Sequence, residues 1–118
     1  MTFDDVLEVS LLYDFYGQLL SNRQREVMSL YHEENLSLSE IADEFGISRQ
    51  GVHDTLKKAE KALQGYEDKL GLVSRFEKTG SLISSIDERM EKLIAQNQDN
   101  RELVANLMEI RAEIDEME

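Results

Sequence analysis

The 118-residue chain contains no cysteine, no proline and no tryptophan, and only six glycines. Without thiols it has no disulfides and no thiolate metal sites. Without proline, and with few glycines, long helices run unopposed. No apolar run approaches the roughly 20 residues that a membrane-spanning helix needs. The opening Met1-Thr-Phe-Asp-Asp5 is acidic, the wrong sign for a signal or transit peptide. These absences lead to the expectation of a cytoplasmic protein. Phosphate-cradling loops are missing as well: neither GxxxxGK[ST] nor GxGxxG occurs. His32 and His53 have no metal-ligand partner at motif spacing. The serines stand at helix starts, not in a nucleophile elbow. The expectation is a protein that works by binding, with no catalytic, cofactor or metal residues.

Positive charge is also scarce. Thirteen Lys and Arg face 25 Asp and Glu, a net charge of −12. That balance opposes general affinity for nucleic acid, where neutralised phosphates supply most non-specific binding. The exception is the stretch from Ser48 to Gly65, where Arg49, Lys57, Lys58 and Lys61 outnumber Asp54 and Glu60.

What is present is helical periodicity, and the chain is expected to be all-α. Phe3 to Gln18 forms a first helix. Val6, Val9, Leu12, Tyr13 and Tyr16 share a face that Leu7, Leu11 and Phe15 widen, so burial against more than one neighbour is expected. Asp4, Asp5 and Glu8 suit the positive end of its dipole. Ser21 and Gln24 make a capping box that opens a second helix with Val27, Leu30 and Tyr31 inside. His32 near its end is expected to act as a cation on the helix dipole.

The organising stretch is Leu36 to Leu63. Ser37 and Glu40 form another capping box. Ile41, Ala42 and Phe45 make one apolar face, and Gly46 is suited to the left-handed turn that ends a helix. Ser48 caps the next helix, whose Val52, Leu56, Ala59 and Leu63 repeat at 4-3-4 and face inward. Two short helices set at a Gly corner, the second with a polar outer side, make a helix-turn-helix. Its candidate nucleic-acid contacts are Arg49, Gln50 and His53, toward base edges or phosphates, and Lys57, Lys58 and Lys61, toward phosphates. Arg23 and Arg25, at the start of the second helix, join the set. Asp54 is expected to pair with Lys57 or Lys58. Gly51 is expected to permit close approach of the preceding helix.

The run Leu38-Ser-Glu-Ile-Ala-Asp-Glu-Phe-Gly-Ile-Ser-Arg-Gln-Gly-Val-His53 resembles the helix-turn-helix of region 4 of bacterial sigma factors. Leu20-Ser-Asn-Arg-Gln-Arg-Glu-Val-Met-Ser-Leu-Tyr31 resembles that region's leading helix. Tyr13-Asp-Phe-Tyr-Gly-Gln-Leu-Leu-Ser21, Ile47-Ser-Arg-Gln-Gly-Val-His-Asp54 and Tyr66-Glu-Asp-Lys-Leu-Gly-Leu72 extend the resemblance to the YlxM family of small bacterial proteins. It covers about residues 1–78. What it implies is regulation in the signal recognition particle (SRP) pathway, with the particle's GTPase or its RNA as partner. The alternative is a DNA-binding transcriptional regulator.

The helix after Ser48 is expected to run to about Leu70, with Gly65 and Gly71 as kinks or ends. Leu72, Val73 and Phe76 form an apolar knot expected to clip back onto the first helices. Thr79-Gly80-Ser81 reads as a boundary, dividing a domain of residues 1–78 from a helical extension of residues 79–118. There Ile83, Ile86, Met90, Leu93 and Asn97 repeat as a heptad seam. Asp99 and Glu102 make a capping box, and Leu103, Leu107, Ile110, Ile114 and Met117 follow as a second seam. An antiparallel hairpin and one long helix pairing with another copy both satisfy this coiled-coil-like pattern. So thin an arm buries little apolar surface alone, so it is expected to pack on the first domain or to dimerise, with the homodimer preferred.

Overall fold

The computed structural model describes residues 3–117, with side chains from Leu7 onward. Among them are six α-helices and no strand: α1 Phe3–Tyr16, α2 Asn22–Met28, α3 Leu38–Phe45, α4 Arg49–Leu70, α5 Leu72–Gln96 and α6 Arg101–Asp115. The all-α helix-turn-helix architecture therefore holds. Asp4, Asp5 and Val6, expected to serve the dipole and the first stripe, lie outside the described side chains.

The chain divides into two compact units, one reaching Val73 and one starting at Ser74. The expected boundary at Thr79–Ser81 falls inside α5 instead. Gly80 takes no left-handed turn there, and a lone glycine costs a helix only about 1 kcal/mol. The break in conformation sits earlier, at Gly71, whose φ of +62° ends α4. Gly65 does not end α4, which runs through it.

In the first unit the starts of α2, α3 and α4 form as their sequences dictate. Ser21 and Gln24 close one capping box and Ser37 and Glu40 another, with both reciprocal bonds made. The Ser37 backbone N–H, then its hydroxyl, hold Glu40 below the ordinary carboxylate range. That stabilising effect is present above the unfolded-state pKa and fades as pH falls through the lowered folded-state value. Helix α2 runs into a π turn, Ser29–Glu33, and the segment closes where Asn35 adopts φ +57°. Asparagine tolerates that left-handed state better than most residues.

The core gathers Leu12 and Tyr16 from α1, Val27 and Met28 from α2, and Ile41 and Ala42 from α3. Helix α4 lays Val52, Leu56, Ala59 and Leu63 against them. Val73 closes the core, whereas Leu72 and Phe76 of the expected knot stay 39% and 56% exposed. The broad stripe of α1 is buried on one side only. Leu7 and Phe15 remain exposed, because α4 covers the Leu12–Tyr16 face.

Tyr16 is fully buried, and its hydroxyl joins three segments. It donates to Glu67 Oε1 (2.6 Å) and accepts from the Leu72 N–H (3.0 Å). Glu67 Oε1 also accepts from the Val73 N–H (3.0 Å). Burial, then the Glu67 carboxylate, raise the Tyr16 phenol above its ordinary pKa.

His32 stands in the last turn of the Ser29–Glu33 segment, as expected, but it is half-buried instead of facing solvent. The π turn brings it against α4, stacked on Tyr31, with Nε2 buried 3.9 Å from Glu60 Oε1 and no hydrogen-bond partner.

The second unit is a hairpin of α5 and α6. Arg111 donates to both oxygens of Asp87 (2.6 and 3.1 Å), which excludes one continuous helix. The α6 cap is Asn100, whose Oδ1 accepts from the Leu103 N–H (3.0 Å). Asp99 sits in the turn, so its expected capping box does not form. The seam is also rotated. Ile83 and Met90 are buried, while Ile86, Leu93 and Ile110 are more than 40% exposed. Asp87 and Arg111 take half-buried positions beside that seam.

Two glycines of the first unit should respond oppositely to alanine. Gly46 has open space around its Cβ position but a φ of +65°, so Gly46→Ala should destabilise by roughly 1–2 kcal/mol. Gly65 has open space and helical backbone, so Gly65→Ala should stabilise by about 1 kcal/mol. Urea unfolding monitored by circular dichroism measures both.

Candidate nucleic-acid interface

The interface is built by the corner between α3 and α4. At the end of α3, Gly46 turns left-handed and its N–H reaches the Ala42 carbonyl. The Ile47 N–H bonds the same oxygen (3.1 Å), closing the turn. Ser48 Oγ then accepts from the Gly51 N–H (2.9 Å) and starts α4. Gly51 does not serve close packing of α3, as expected from sequence. A Cβ there would stand 3.2 Å from Ser48 Oγ and 3.8 Å from Ile47 Cδ1. The glycine therefore makes room for the cap itself.

With Val52, Leu56, Ala59 and Leu63 committed to the core, the remaining α4 side chains are set outward. Arg49, Gln50, His53, Lys57, Lys58 and Lys61 are all exposed. Arg49, Gln50 and His53 surround a shallow hollow floored by Leu38 of α3. At about 3.6 residues per turn, Lys57 and Lys61 continue the Gln50 strip, with Arg49 and His53 along one edge and Lys58 along the other. The structure thus gathers six of the eight expected residues on the outer side of α4.

Asp54 lies in the middle of that strip. It was expected to pair with Lys57 or Lys58. Its Oδ1 instead accepts from Gln50 Nε2 (2.9 Å) and lies 3.8 Å from His53 Nδ1. The Gln50–Asp54 spacing of four was the signal that could have revealed this.

Residues 3–112 match the family described as "Putative helix-turn-helix protein, YlxM / p13 like". A UPF0122 protein of Thermoanaerobacter sp. (strain X514) is 43% identical over 114 residues, covering 97% of each chain. The chain belongs to the YlxM / p13-like family. Another UPF0122 protein, of Desulforamulus reducens, is 51% identical over 81 residues, 68% of this chain and 69% of that one. One from Listeria welshimeri is 35% identical over 108 residues, 89% of this chain and 98% of its own.

In this YlxM / p13-like chain, Arg23 and Arg25 are occupied elsewhere. The Arg23 guanidinium lies 4.6 Å from the centre of the Phe45 ring, a cation–π contact tying α2 to the end of α3. Arg25 Nη2 donates to Asn22 Oδ1 (2.6 Å) and lines a groove that also holds Glu26 and Glu44. Glu40, Asp43 and Glu44 are exposed on α3, so the element preceding α4 contributes negative charge.

If the α4 strip faces phosphate, its charges should act in opposite senses. Asp54→Asn should tighten binding of a nucleic-acid probe and Lys57→Glu should weaken it. Both effects should shrink as salt rises from about 50 to about 200 mM. Fluorescence anisotropy titration reads this directly, and affinities unchanged by both variants would remove the strip from the interface.

Proposed function

We propose that this chain is a regulatory protein of the signal recognition particle pathway that acts by binding and not by catalysis. The acting species is a homodimer, and its partner is the particle's GTPase or its RNA, met through the outer side of α4. The pathway rests on the resemblance to the YlxM family. The observation that carries the mode of action is the α4 strip itself. It is exposed and polar, yet Asp54 sits at its centre and acids crowd α3 beside it. Such a surface is poor at collecting phosphates without discrimination, and the acids of α3 beside it suit a protein partner that presents basic groups.

A second reading is favoured by one feature. Arg49, Gln50 and His53 ring Leu38 at the N-terminal end of α4, where a recognition helix meets base edges in the major groove. On that reading the chain is a DNA-binding transcriptional regulator.

The readings separate on immobilised full-length protein at physiological salt. The SRP reading expects the purified GTPase, or its RNA, to be retained while a random duplex library is not. Nuclease treatment then tells the protein partner from the RNA. Enrichment of a palindromic duplex, with neither particle component retained, would overturn it in favour of the DNA regulator.

A further inference from the structure

The hairpin of α5 and α6 leaves one side uncovered. At ~3.6 residues per turn, Leu82, Ile86 and Leu93 lie on the flank of α5 away from Asp87. Ile110 and Met117 lie on the flank of α6 away from Arg111. The Asp87–Arg111 pair marks one side of the antiparallel seam, so these five side chains share the other. They are exposed by 55%, 41%, 45%, 46% and 73% in turn. Among the described apolar side chains of the second unit, Ile83 and Met90 are buried, and Ile94, Leu103, Val104, Leu107 and Ile114 are half-buried beside them, so the seam takes up one side of the hairpin and leaves these five outside it.

The rims of this apolar face differ in charge. Beyond it on α5 stand Arg89 and Lys92, and beyond it on α6 stand Glu102, Glu109 and Glu113, all exposed. One basic rim and one acidic rim on the same face make the face complementary to itself, provided the copies meet in one orientation. A two-fold axis parallel to the helices sets α5 of one copy against α6 of the other. An axis across the helices sets like on like, with basic rim on basic rim. In the favourable arrangement Arg89 stands level with Glu109 of the second copy. Lys92 then lies between Glu102 and Glu109.

We propose that the Leu82–Ile86–Leu93–Ile110–Met117 face pairs with the same face of a second copy, α5 against α6, as a four-helix bundle whose orientation is fixed by the two charged rims. The occupant is another copy of this chain because the rims satisfy each other without an outside partner. The proposal deepens the homodimer part of the function above, and is independent of what α4 holds.

Sedimentation equilibrium of the full-length chain tests it. The wild type should be a dimer that weakens with added salt. Glu102→Lys with Glu109→Lys and Glu113→Lys should raise the dissociation constant by roughly tenfold or more. Adding Arg89→Glu and Lys92→Glu to that variant should restore it. These positions are exposed, so folding should be spared, with helical circular dichroism as the control. A monomeric wild type would overturn both the homodimer and this surface. A wild-type dimer indifferent to the reversal, or one not restored by the compensating pair, would overturn the surface alone.

Discussion

The arrangement of the first unit depends on one buried hydroxyl. Tyr16 donates to Glu67 and accepts from the first N–H of α5, while Glu67 accepts from the second. Those N–H groups have no partner within their own helix. In a buried setting they would be costly to leave unpaired. One phenol and one carboxylate therefore tie α1 to the end of α4 and to the first two residues of α5. Upstream of that contact, Val52, Leu56, Ala59 and Leu63 commit one face of α4 to the interior.

That commitment is what makes the outer side of α4 usable. A helix whose inner face is held at both ends, by the Ser48 cap and by the Tyr16 node, presents its outer residues in a fixed register. The strip so presented is compromised in charge. Gln50 and His53 both face Asp54, so part of the polar surface is already satisfied within the helix. A ligand must exchange these contacts for its own, which favours selectivity over simple electrostatic capture. The acids of α3 act in the same direction.

Local chemistry was legible in the sequence. The capping boxes at Ser21 and Ser37, the corner at Gly46 and the cap at Ser48 each depend on residues within four positions of one another, and each forms as expected. The inward 4-3-4 repeat of α4 was equally readable, because burial on one face imposes it. What escaped was non-local. The bond from Tyr16 to Glu67 spans 51 residues, and no spacing rule foretells it. Arg23 looked free for phosphate because Phe45 lies on another helix. The hairpin seam was misplaced by part of a turn. Its sequence carries an apolar stripe wider than two helices need, and only Asp87 meeting Arg111 reveals which edge is inside. Asn100 displaced Asp99 as the α6 cap because the turn from Asn97 ends one residue later than the motif suggested.

The central claim is that the Tyr16 hydroxyl locks α1, the end of α4 and the start of α5 into one platform for the α4 surface. Amide hydrogen exchange on the wild type and on Tyr16→Phe tests it most directly. The account predicts faster exchange at Leu72 and Val73 in the variant, together with a lower urea midpoint. Unchanged protection at both amides, with an unchanged midpoint, would contradict it.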